Sequence, residues 1–276
     1  MPWHARLLLD YRLEAGRCVA RFEHEGPLRI LHSLYPEGGG ICHNVLVHPP
    51  GGLVGGDVLD IDIRASAGAH GLVTTPGASR FYRSQGELAM QRTRITLEAG
   101  ARLEWLPLEA IFYSGCLAEN RLEMDLAPGA ELMGWDVTAL GLPEAGQPFA
   151  QGSLLQHLEL KGGWLERGRI DALDQRLMEG ALGLGGHGCV ATLFLVSGTA
   201  ISRERRERTL MLAREVIEGH PLRAQAGATT PGPQVLVLRV LAPRVEPALA
   251  LLKAVRNAWR PALWCLPAHQ PRTWAL

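Results

Sequence analysis

Two short segments carry side chains that could bind a metal ion. His187 and Cys189 stand two residues apart, so on a strand both side chains would face the same side. Ni²⁺ and Zn²⁺ both accept imidazole and thiolate ligands. Cys42 and His43 are neighbours, so on a strand they would point to opposite faces and could not easily share one ion. Two donors do not complete a site, and packing of a buried cysteine is the simpler interpretation of both pairs.

A pair of carboxylates offers a second kind of chemistry. Asp60 and Asp62 alternate with apolar residues, which predicts a strand with both carboxylates on one face, ~6.6 Å apart at ~3.3 Å per residue. If that face lines a cavity, the two groups could pass a hard or borderline cation from one to the next. If it meets water, they are ordinary surface charges, and the spacing alone favours this second interpretation.

Motifs of phosphate-binding and hydrolytic enzymes are missing from the sequence. The glycine cluster of residues 51–56 is followed by Asp57, where a phosphate-binding loop would need a lysine. An acid at that place would repel phosphate. The two lysines of the chain, Lys161 and Lys253, do not follow such a loop, and no G-x-S-x-G or H-E-x-x-H pattern occurs.

The elements that must position these residues follow a repeat of about 30 residues. Four segments combine a strand-like run, a small turn that contains glycine, and a second run. Their turns lie at Gly68-Ala69, Gly100-Ala101, Gly129-Ala130 and Gly162-Gly163, which are 32, 29 and 33 residues apart. Phe81-Tyr82 and Phe112-Tyr113 form a further echo. The pattern predicts a mainly β fold of stacked β layers, arranged like a β-helix, that cover one another's apolar faces.

The C-terminal third changes character and predicts two α-helices. Residues 201–218 are dense in Arg and Glu, with apolar residues at helical spacing, and a second apolar stripe runs from Val245 to Trp259. Apolar strand-like runs at residues 189–196 and 234–241 precede the two helices.

The remaining segments complete the predicted organisation. Residues 219–233 are interpreted as the connection between the two strand–helix units, and the proline-rich residues 261–271 as an extended tail. We predict a single domain over residues 1–276. Within it, residues 1–180 form the β body with the repeats, and residues 181–276 add further strands and the two helices.

Composition bounds the classes of function. Among 276 residues, 47% are hydrophobic, which excludes intrinsic disorder, and 28 basic residues balance 28 acidic ones. Zero net charge gives no electrostatic reason to expect nucleic acid or an anionic membrane as a partner. Five scattered cysteines are typical of a reducing compartment, and the first 13 residues lack the apolar core of a signal peptide. We therefore expect a cytoplasmic protein.

Several phrases of the sequence resemble one known family along nearly the whole chain. The most characteristic is His48-Pro49-Pro50-Gly51-Gly52-Leu53-Val54-Gly55-Gly56-Asp57, and the second is residues 74–84, TTPGASRFYRS. Shorter matches follow the same order: residues 26–29, 35–37, 103–107 with Glu109, 134–136, 140–141 and 271–274. In these motifs the chain resembles the urease accessory protein family UreD, also called UreH.

The resemblance implies a function that composition cannot indicate. UreD-like proteins are non-catalytic chaperones in the maturation of urease, a dinuclear nickel enzyme. They bind apo-urease and the accessory protein UreF, which in turn recruits the GTPase UreG. Ni²⁺ is transferred transiently through UreF and UreD into the urease site, and no cofactor is permanently bound. The family fold is mainly β with two helices and is partly organised like a β-helix.

Acidic and polar residues within the matched motifs are the candidates for lining a nickel path. They are Asp57, Asp60, Asp62, Ser84, Glu109 and Asp136. Scattered oxygen donors suit a conduit, because a cage of Cys and His would hold the ion too tightly to release it. Asp57 could instead cap a turn after Gly56, and Asp136 could be the hydrogen-bond partner of a buried amide.

The sequence also departs from the family pattern. Leu108, Ser114 and Leu142 stand where relatives commonly carry Gln, Asp and Arg, so any family role of those three side chains does not transfer. We further predict that the helix at residues 201–218, with Arg205 and Arg206, lies near the surface available to UreF.

Two other functions remain open from the residues. A β-helix enzyme acting on carbohydrate would use Glu104 and Glu109 as acid and base, with their carboxyl groups ~5–5.5 Å apart in a groove if the reaction retains configuration. A stand-alone nickel-binding protein would use His187 and Cys189 as ligands and would bind the ion tightly.

Overall fold

The computed structural model describes residues 2–275, and its strands and helices are numbered in chain order. The strands are β1 His4–Glu14, β2 Arg17–Glu25, β3 Arg29–Leu34, β4 Cys42–Val47, β5 Val58–Ala65, β6 His70–Thr74, β7 Ser79–Phe81, β8 Ala89–Leu97, β9 Arg102–Leu106, β10 Ala110–Phe112, β11 Cys116–Leu126, β12 Glu131–Leu142, β13 Gln147–Pro148, β14 Gly152–Leu160, β15 Trp164–Asp171, β16 Cys189–Ser197, β17 Ala226–Gly232 and β18 Val235–Ala242. The α-helices are α1 Gln175–Glu179, α2 Arg203–Glu218 and α3 Val245–Trp264, and 3₁₀ turns occur at Pro143–Ala145, Arg223–Gln225 and Arg272–Ala275.

Two sheets form the body of the protein. The first has the strand order β15-β14-β11-β8-β5-β1-β2, and the main path of the second is β17-β18-β16-β12-β9-β6-β4-β3. Strands β5, β8, β11 and β14 run parallel in the first sheet, as β6, β9 and β12 do in the second. The chain therefore winds through about four turns of a β-solenoid, and the predicted fold class is confirmed.

The repeated glycines form the corners of these turns. Each has a positive φ: Gly68 70°, Gly100 68°, Gly129 78° and Gly162 73°. Glycine enters this left-handed region at little steric cost. In each corner the next residue donates its N–H to the carbonyl three positions earlier, as Ala101 does to Glu98 at 3.0 Å. The sequence repeat is thus the repeat of the solenoid coil.

The aromatic echo marks neighbouring coils. Phe81 and Phe112 occupy paired positions in the parallel strands β7 and β10, and their rings stack in the core with centroids 4.6 Å apart. Directly outside, the rings of Tyr82 and Tyr113 lie 5.1 Å apart. The same dipeptide in two coils therefore produces one inner and one outer aromatic stack.

The interior between the sheets is filled by inward-facing apolar residues. Ile63, Ile95, Met124 and Leu160 stand in register on four successive coils, and each is at most 2% exposed. Burying one such side chain stabilises the fold by about 1.5–3 kcal/mol.

A second core lies between the second sheet and the two long helices. Trp135 of β12 and Trp259 of α3 are both fully buried there. The indole of Trp259 donates to the carbonyl of Thr209 in α2 at 3.0 Å, which ties the two helices together. Both predicted helices are confirmed, and Ser202 caps α2 by accepting from the N–H of Arg205.

The structure corrects the predicted boundaries in the C-terminal third. Residues 226–232, which were interpreted as part of a connection, form the edge strand β17 beside β18. Helix α3 continues through Pro261 to Trp264, so the extended tail begins only after Cys265. Tertiary packing overrides the proline, because Leu263 and Trp264 in the last turn are buried against the second core.

One helix was not predicted from the sequence. Helix α1 is a five-residue segment capped by the side chain of Asp174, which accepts from the N–H of Leu177. It has no buried residues, so no apolar stripe marks it. Among residues 2–275, no helix is both long and apolar enough to cross a membrane.

Candidate functional site

A row of side-chain amides lies on the inner face of the first sheet. Gln91 on β8 is in register with Asn120 on β11, which is in register with Gln156 on β14. Each shares its strand face with buried residues two positions away, as Asn120 does with Ala118 and Leu122, so the three amides point into the solenoid. Parallel pairing places the same position of successive coils side by side, which turns one polar residue per coil into a continuous row.

Asp136 reaches this row from the opposite sheet. Its Oδ1 accepts from Nδ2 of Asn120 at 3.0 Å, and its Oδ2 accepts from the hydroxyl of Thr138 at 3.3 Å. Asn120 in turn accepts from Nε2 of Gln91 at 3.4 Å. Gln156 is the third amide, and neither of its buried polar atoms meets a partner at good hydrogen-bond geometry. The interior therefore contains a chain of oxygen atoms that could bind a cation. Some of them accept hydrogen bonds, whereas the oxygen of Gln156 has no hydrogen-bond partner.

Burial raises the pKa of Asp136 to about 6, against the opposing effect of its hydrogen bonds. The carboxyl group consequently changes charge in the range where most aspartates are already ionised. Near neutral pH it supplies a negative charge inside the solenoid, and below about pH 6 a proton competes for the same oxygens.

One end of the row opens into a cavity. Gln91 lines a space of about 220 Å³ together with Trp105, Arg80 and His48. The two characteristic glycine- and proline-containing segments form about half of its lining, through His48, Gly51 and residues 75–80. The Nε2 atom of His48 is buried and has no hydrogen-bond partner, so this imidazole adds a free donor at the same place.

The other end of the row approaches solvent. Glu166 on β15 pairs with inward-facing Leu158, so its carboxylate lies in the last coil beyond Gln156, and its charge contributes to the raised pKa of Asp136. Glu166 forms an ion pair with Arg239 of β18, and its side chain is 34% exposed. Oxygen donors thus run from the cavity at Gln91 to this exposed ion pair.

Three predicted carboxylates lie outside the row. Asp57 is a turn cap, because it accepts from the backbone N–H groups of Val54 at 2.9 Å and Trp3 at 3.1 Å. Asp60 and Asp62 lie on the outer face of the first sheet. The guanidinium groups of Arg92 and Arg94 there hold Asp60 and Asp62 respectively. Burial opposes ionisation of Asp60, but the hydrogen bonds from Arg92 and His4 lower its pKa below the usual range.

Ser84 and Glu109 occupy two different corners. The hydroxyl of Ser84 donates to the carbonyl of Glu87 and accepts from the N–H of Gly86 at 3.1 Å, so it closes a turn. Glu109 is half-buried beside a separate cavity of about 270 Å³ near the beginning of α3, which Cys189 also lines. Of the six predicted path residues, Asp136 is the one that the fold brings to the interior row.

The structure does not assemble either predicted pair of Cys and His ligands. Cys42 is buried in the solenoid core, whereas His43 faces Glu37 on the other side of β4. His187 lies in the loop before β16, so it does not share the strand of Cys189. Burial raises the pKa of the Cys189 thiol to about 12, and nearby Glu109 adds to the effect. That thiol is a packed core group rather than a thiolate ligand.

The amino-acid sequence is similar to those of known proteins along nearly its whole length. A family model described as UreD urease accessory protein matches residues 4–275. Proteins named urease accessory protein UreD from Variovorax paradoxus (strain S110) and Paracidovorax citrulli (strain AAC00-1) are 68% and 67% identical over 275 and 276 residues, covering 100% of both chains in each case. One from Leptothrix cholodnii is 53% identical over 276 residues, covering 99% of each. The chain belongs to the UreD family.

UreD proteins are accessory proteins and not catalysts, and the geometry agrees with this. Glu104, the candidate acid of a carbohydrate-active enzyme, is 0% exposed and pairs with Arg256 at 2.6 Å and Arg260 at 3.1 Å. A substrate could not reach it. Residues 183–188 have the spacing G-x-G-x-x-G, but they lead into a strand rather than from a strand into a helix, which is not the dinucleotide-binding context.

The interior amides were not found as site residues from the UreD sequence. Gln91 and Asn120 each precede the corner glycine of their coil, Gly100 and Gly129, by nine residues. This common offset is the signal that could have located them. It was overlooked because a single amide in an alternating strand also fits an outward-facing position.

Proposed function

We propose that this UreD protein is a chaperone of urease maturation that helps deliver Ni²⁺ into the urease active site. The single observation that carries the proposal is the row from Gln91 through Asn120 to Asp136 inside the solenoid. This row lies in a member of a family of urease accessory proteins. A purely structural interior would be filled with apolar side chains, as the rest of this core is.

The chemistry of the row suits transfer rather than storage. Ni²⁺ is the cargo, and it must exchange part of its water shell for protein oxygens that later release it. Neutral amides such as those of Gln91, Asn120 and Gln156 are weak donors, and one carboxylate, Asp136, supplies the charge that compensates the cation. Such sites bind favourably enough for entry and weakly enough for exit, which is the requirement for conduction.

The proposed partners are apo-urease, UreF and, through UreF, the GTPase UreG, in the cytoplasm. UreD itself has no lysine placed for a phosphate-binding loop, so nucleotide hydrolysis belongs to a partner in this proposal. For UreF we keep the exposed face of α2 as the proposed contact. Its polar residues Glu207 and Arg208 are exposed. Met211, one helical turn further along the chain, is 52% exposed.

Arg205 has to be excluded from a test of that contact. Its guanidinium pairs with Glu131 of β12, with Nη2 to Oε2 at 3.0 Å, and also donates to the carbonyl of Leu263. Charge reversal there would disturb the docking of α2. Reversal at Arg206 and Arg208 tests the surface instead, and unchanged capture of UreF by that variant would refute the contact.

The proposed function is tested by co-expressing the urease operon with and without this gene at limiting nickel. We expect urease made without the gene to have low activity and low nickel content, and we expect UreF and apo-urease to co-purify with this protein when it is present. Fully nickel-loaded urease in the absence of the gene would overturn the proposal.

A further inference from the structure

Three distant segments converge on one small cluster of metal-binding side chains. Glu37 precedes β4, His43 lies on β4, and His269 lies in the tail that follows α3. One potential ligand atom from each lies within 4.8 Å of the other two. Nε2 of His43 is 2.9 Å from Oε1 of Glu37, and the rings of His43 and His269 meet edge to face at 5.6 Å between centroids.

The cluster is buried, and one of its donors is unused. The side chains of Glu37 and His43 are only 7% and 5% exposed. The Nε2 atom of His269 is buried and has no hydrogen-bond partner, a state that is unfavourable for a polar atom. The tail is held by its backbone, since the carbonyl of His269 accepts from Arg256 at 2.6 Å. Docking of the tail therefore gives no reason for an imidazole at this position.

Neighbouring charges hold Glu37 in place. Nη2 of Arg260 donates to Oε1 of Glu37 at 3.0 Å and lies 2.8 Å from Oε2, so Oε1 is shared between this arginine and His43. The fully buried Glu104 balances the arginine from β9. Burial opposes ionisation of Glu37, but the hydrogen bonds from His43 and the charge of Arg260 lower its pKa to about 2. The carboxylate is therefore ionised with Oε1 toward the histidines. The nearby guanidinium also weakens cation binding, so any bound ion exchanges.

Within the cluster, it is His43 that lines a cavity. A cavity of about 300 Å³ reaches His43 and is bounded by Tyr35 and Asn44 on one side and by Pro271 and Thr273 of the tail on the other. A space of this size holds several waters, which could complete the coordination of an ion bound by three protein ligands.

We propose that Glu37, His43 and His269 form a binding site for a borderline divalent cation such as Zn²⁺, Ni²⁺ or Co²⁺. Two imidazoles and one carboxylate are a ligand set that these ions favour over Mg²⁺ or Ca²⁺. The site lies outside the solenoid interior, between β4 and the C-terminal tail. It does not depend on the nickel row proposed above, and either can fail without the other.

A second cluster on the outer face of the first sheet provides a matched control. Glu123, His157 and Glu159 also bring three donor atoms within 4.8 Å. There, however, the side chains of Glu123 and Glu159 are each 35% exposed, against 7% for Glu37, so both carboxylates remain solvated. This cluster has comparable residues without the features that point to an ion.

The test is a Co²⁺ titration of the purified full-length protein, followed by visible absorption and calorimetry. An Asp136→Asn background removes the carboxylate of the interior row. We expect one equivalent of Co²⁺ to bind in that background, His269→Ala to weaken it by more than ~10-fold, and His157→Ala to leave it unchanged. Equal affinity and spectrum with and without the His269 side chain would overturn the proposal, as would loss of binding with His157→Ala alone.

A second variant distinguishes loss of a metal ligand from a change in the folded structure. His269→Cys replaces the imidazole by a thiol that becomes a thiolate when it binds metal. We expect this variant to bind Co²⁺ and to develop a new thiolate-to-cobalt charge-transfer band, with the thermal unfolding midpoint of the apo-protein unchanged. A normally folded His269→Cys protein that binds no Co²⁺ or shows no such band would contradict the assignment of His269 as a ligand.

Discussion

Asp136 places a buried carboxyl group in the interior row. It belongs to β12 of the second sheet but meets Asn120 of the first, so its environment is set by both walls of the solenoid. Burial makes its charged form expensive, and its hydrogen bonds recover only part of that cost, which is why the pKa rises to about 6. A carboxylate in such a place lowers the stability of the folded state near neutral pH.

The raised pKa predicts how stability responds to pH. Between about pH 4 and pH 6 the unfolded chain ionises Asp136 freely while the folded chain retains the proton, so the folded state loses stability as pH rises. Asp136→Asn removes this loss. Relative to the wild type, the variant should gain roughly 2–2.5 kcal/mol in free energy of unfolding between about pH 4 and pH 7.5.

Urea denaturation at the two pH values measures this difference. Asp125→Asn is the control, because Asp125 is an exposed partner of Lys161 and its side chain is 55% exposed. Its difference from the wild type should hardly change with pH. A pH-independent difference for Asp136→Asn would contradict the buried, proton-binding state of this carboxyl group.

At the scale of elements, α3 is fastened to the second sheet by charge as well as by apolar packing. Glu104 of β9 meets Arg256 and Arg260 of α3, and all three side chains are 0% exposed. The same arginines donate to backbone carbonyls of the tail, at His269 and Pro267. One buried carboxylate thereby positions the helix and, through it, the C-terminal segment.

Breaking this buried pair should be costly. Arg256→Ala leaves Glu104 charged and incompletely paired in the interior, and we expect a loss of about 3–5 kcal/mol in free energy of unfolding, measured by chemical denaturation. Arg208→Ala on the exposed face of α2 is the control and should change stability by less than about 0.5 kcal/mol. A loss for Arg256→Ala no larger than that of the control would show that the pair does not hold α3.

The elements differ in how far the sequence could predict them. Corner glycines such as Gly68 and Gly100, and the apolar stripe of α3, are local signals, because the backbone or one face of the helix requires them. The pairing of Glu104 with Arg256 spans 152 positions and has no local signal. For the same reason the burial of Asp60 under Arg92 on the outer sheet face could not be predicted, since strand alternation does not specify which neighbour fills the facing position.

At the scale of the whole molecule, the solenoid contains one row of polar side chains within an otherwise apolar interior. The row of Gln91, Asn120 and Asp136 begins at the cavity built by the motif of residues 48–51 and ends near the exposed pair of Glu166 and Arg239. The two long helices pack against the second sheet, around the core that contains Trp135 and Trp259. Stacked parallel coils form such a row readily, because each coil contributes one side chain at the same position.

The most direct test of the central claim is the nickel content of urease matured by a protein whose row is blocked. Asn120→Leu places an apolar side chain of similar size at the middle of the row, and Thr96→Leu places the same side chain on the exposed outer face. Urease is purified after co-expression with each variant at limiting nickel, and nickel per active site is measured. We predict that Asn120→Leu lowers nickel content toward that of urease made without the gene, while the protein still co-purifies with urease, and that Thr96→Leu has no effect. Full nickel loading with a folded Asn120→Leu protein would contradict the account.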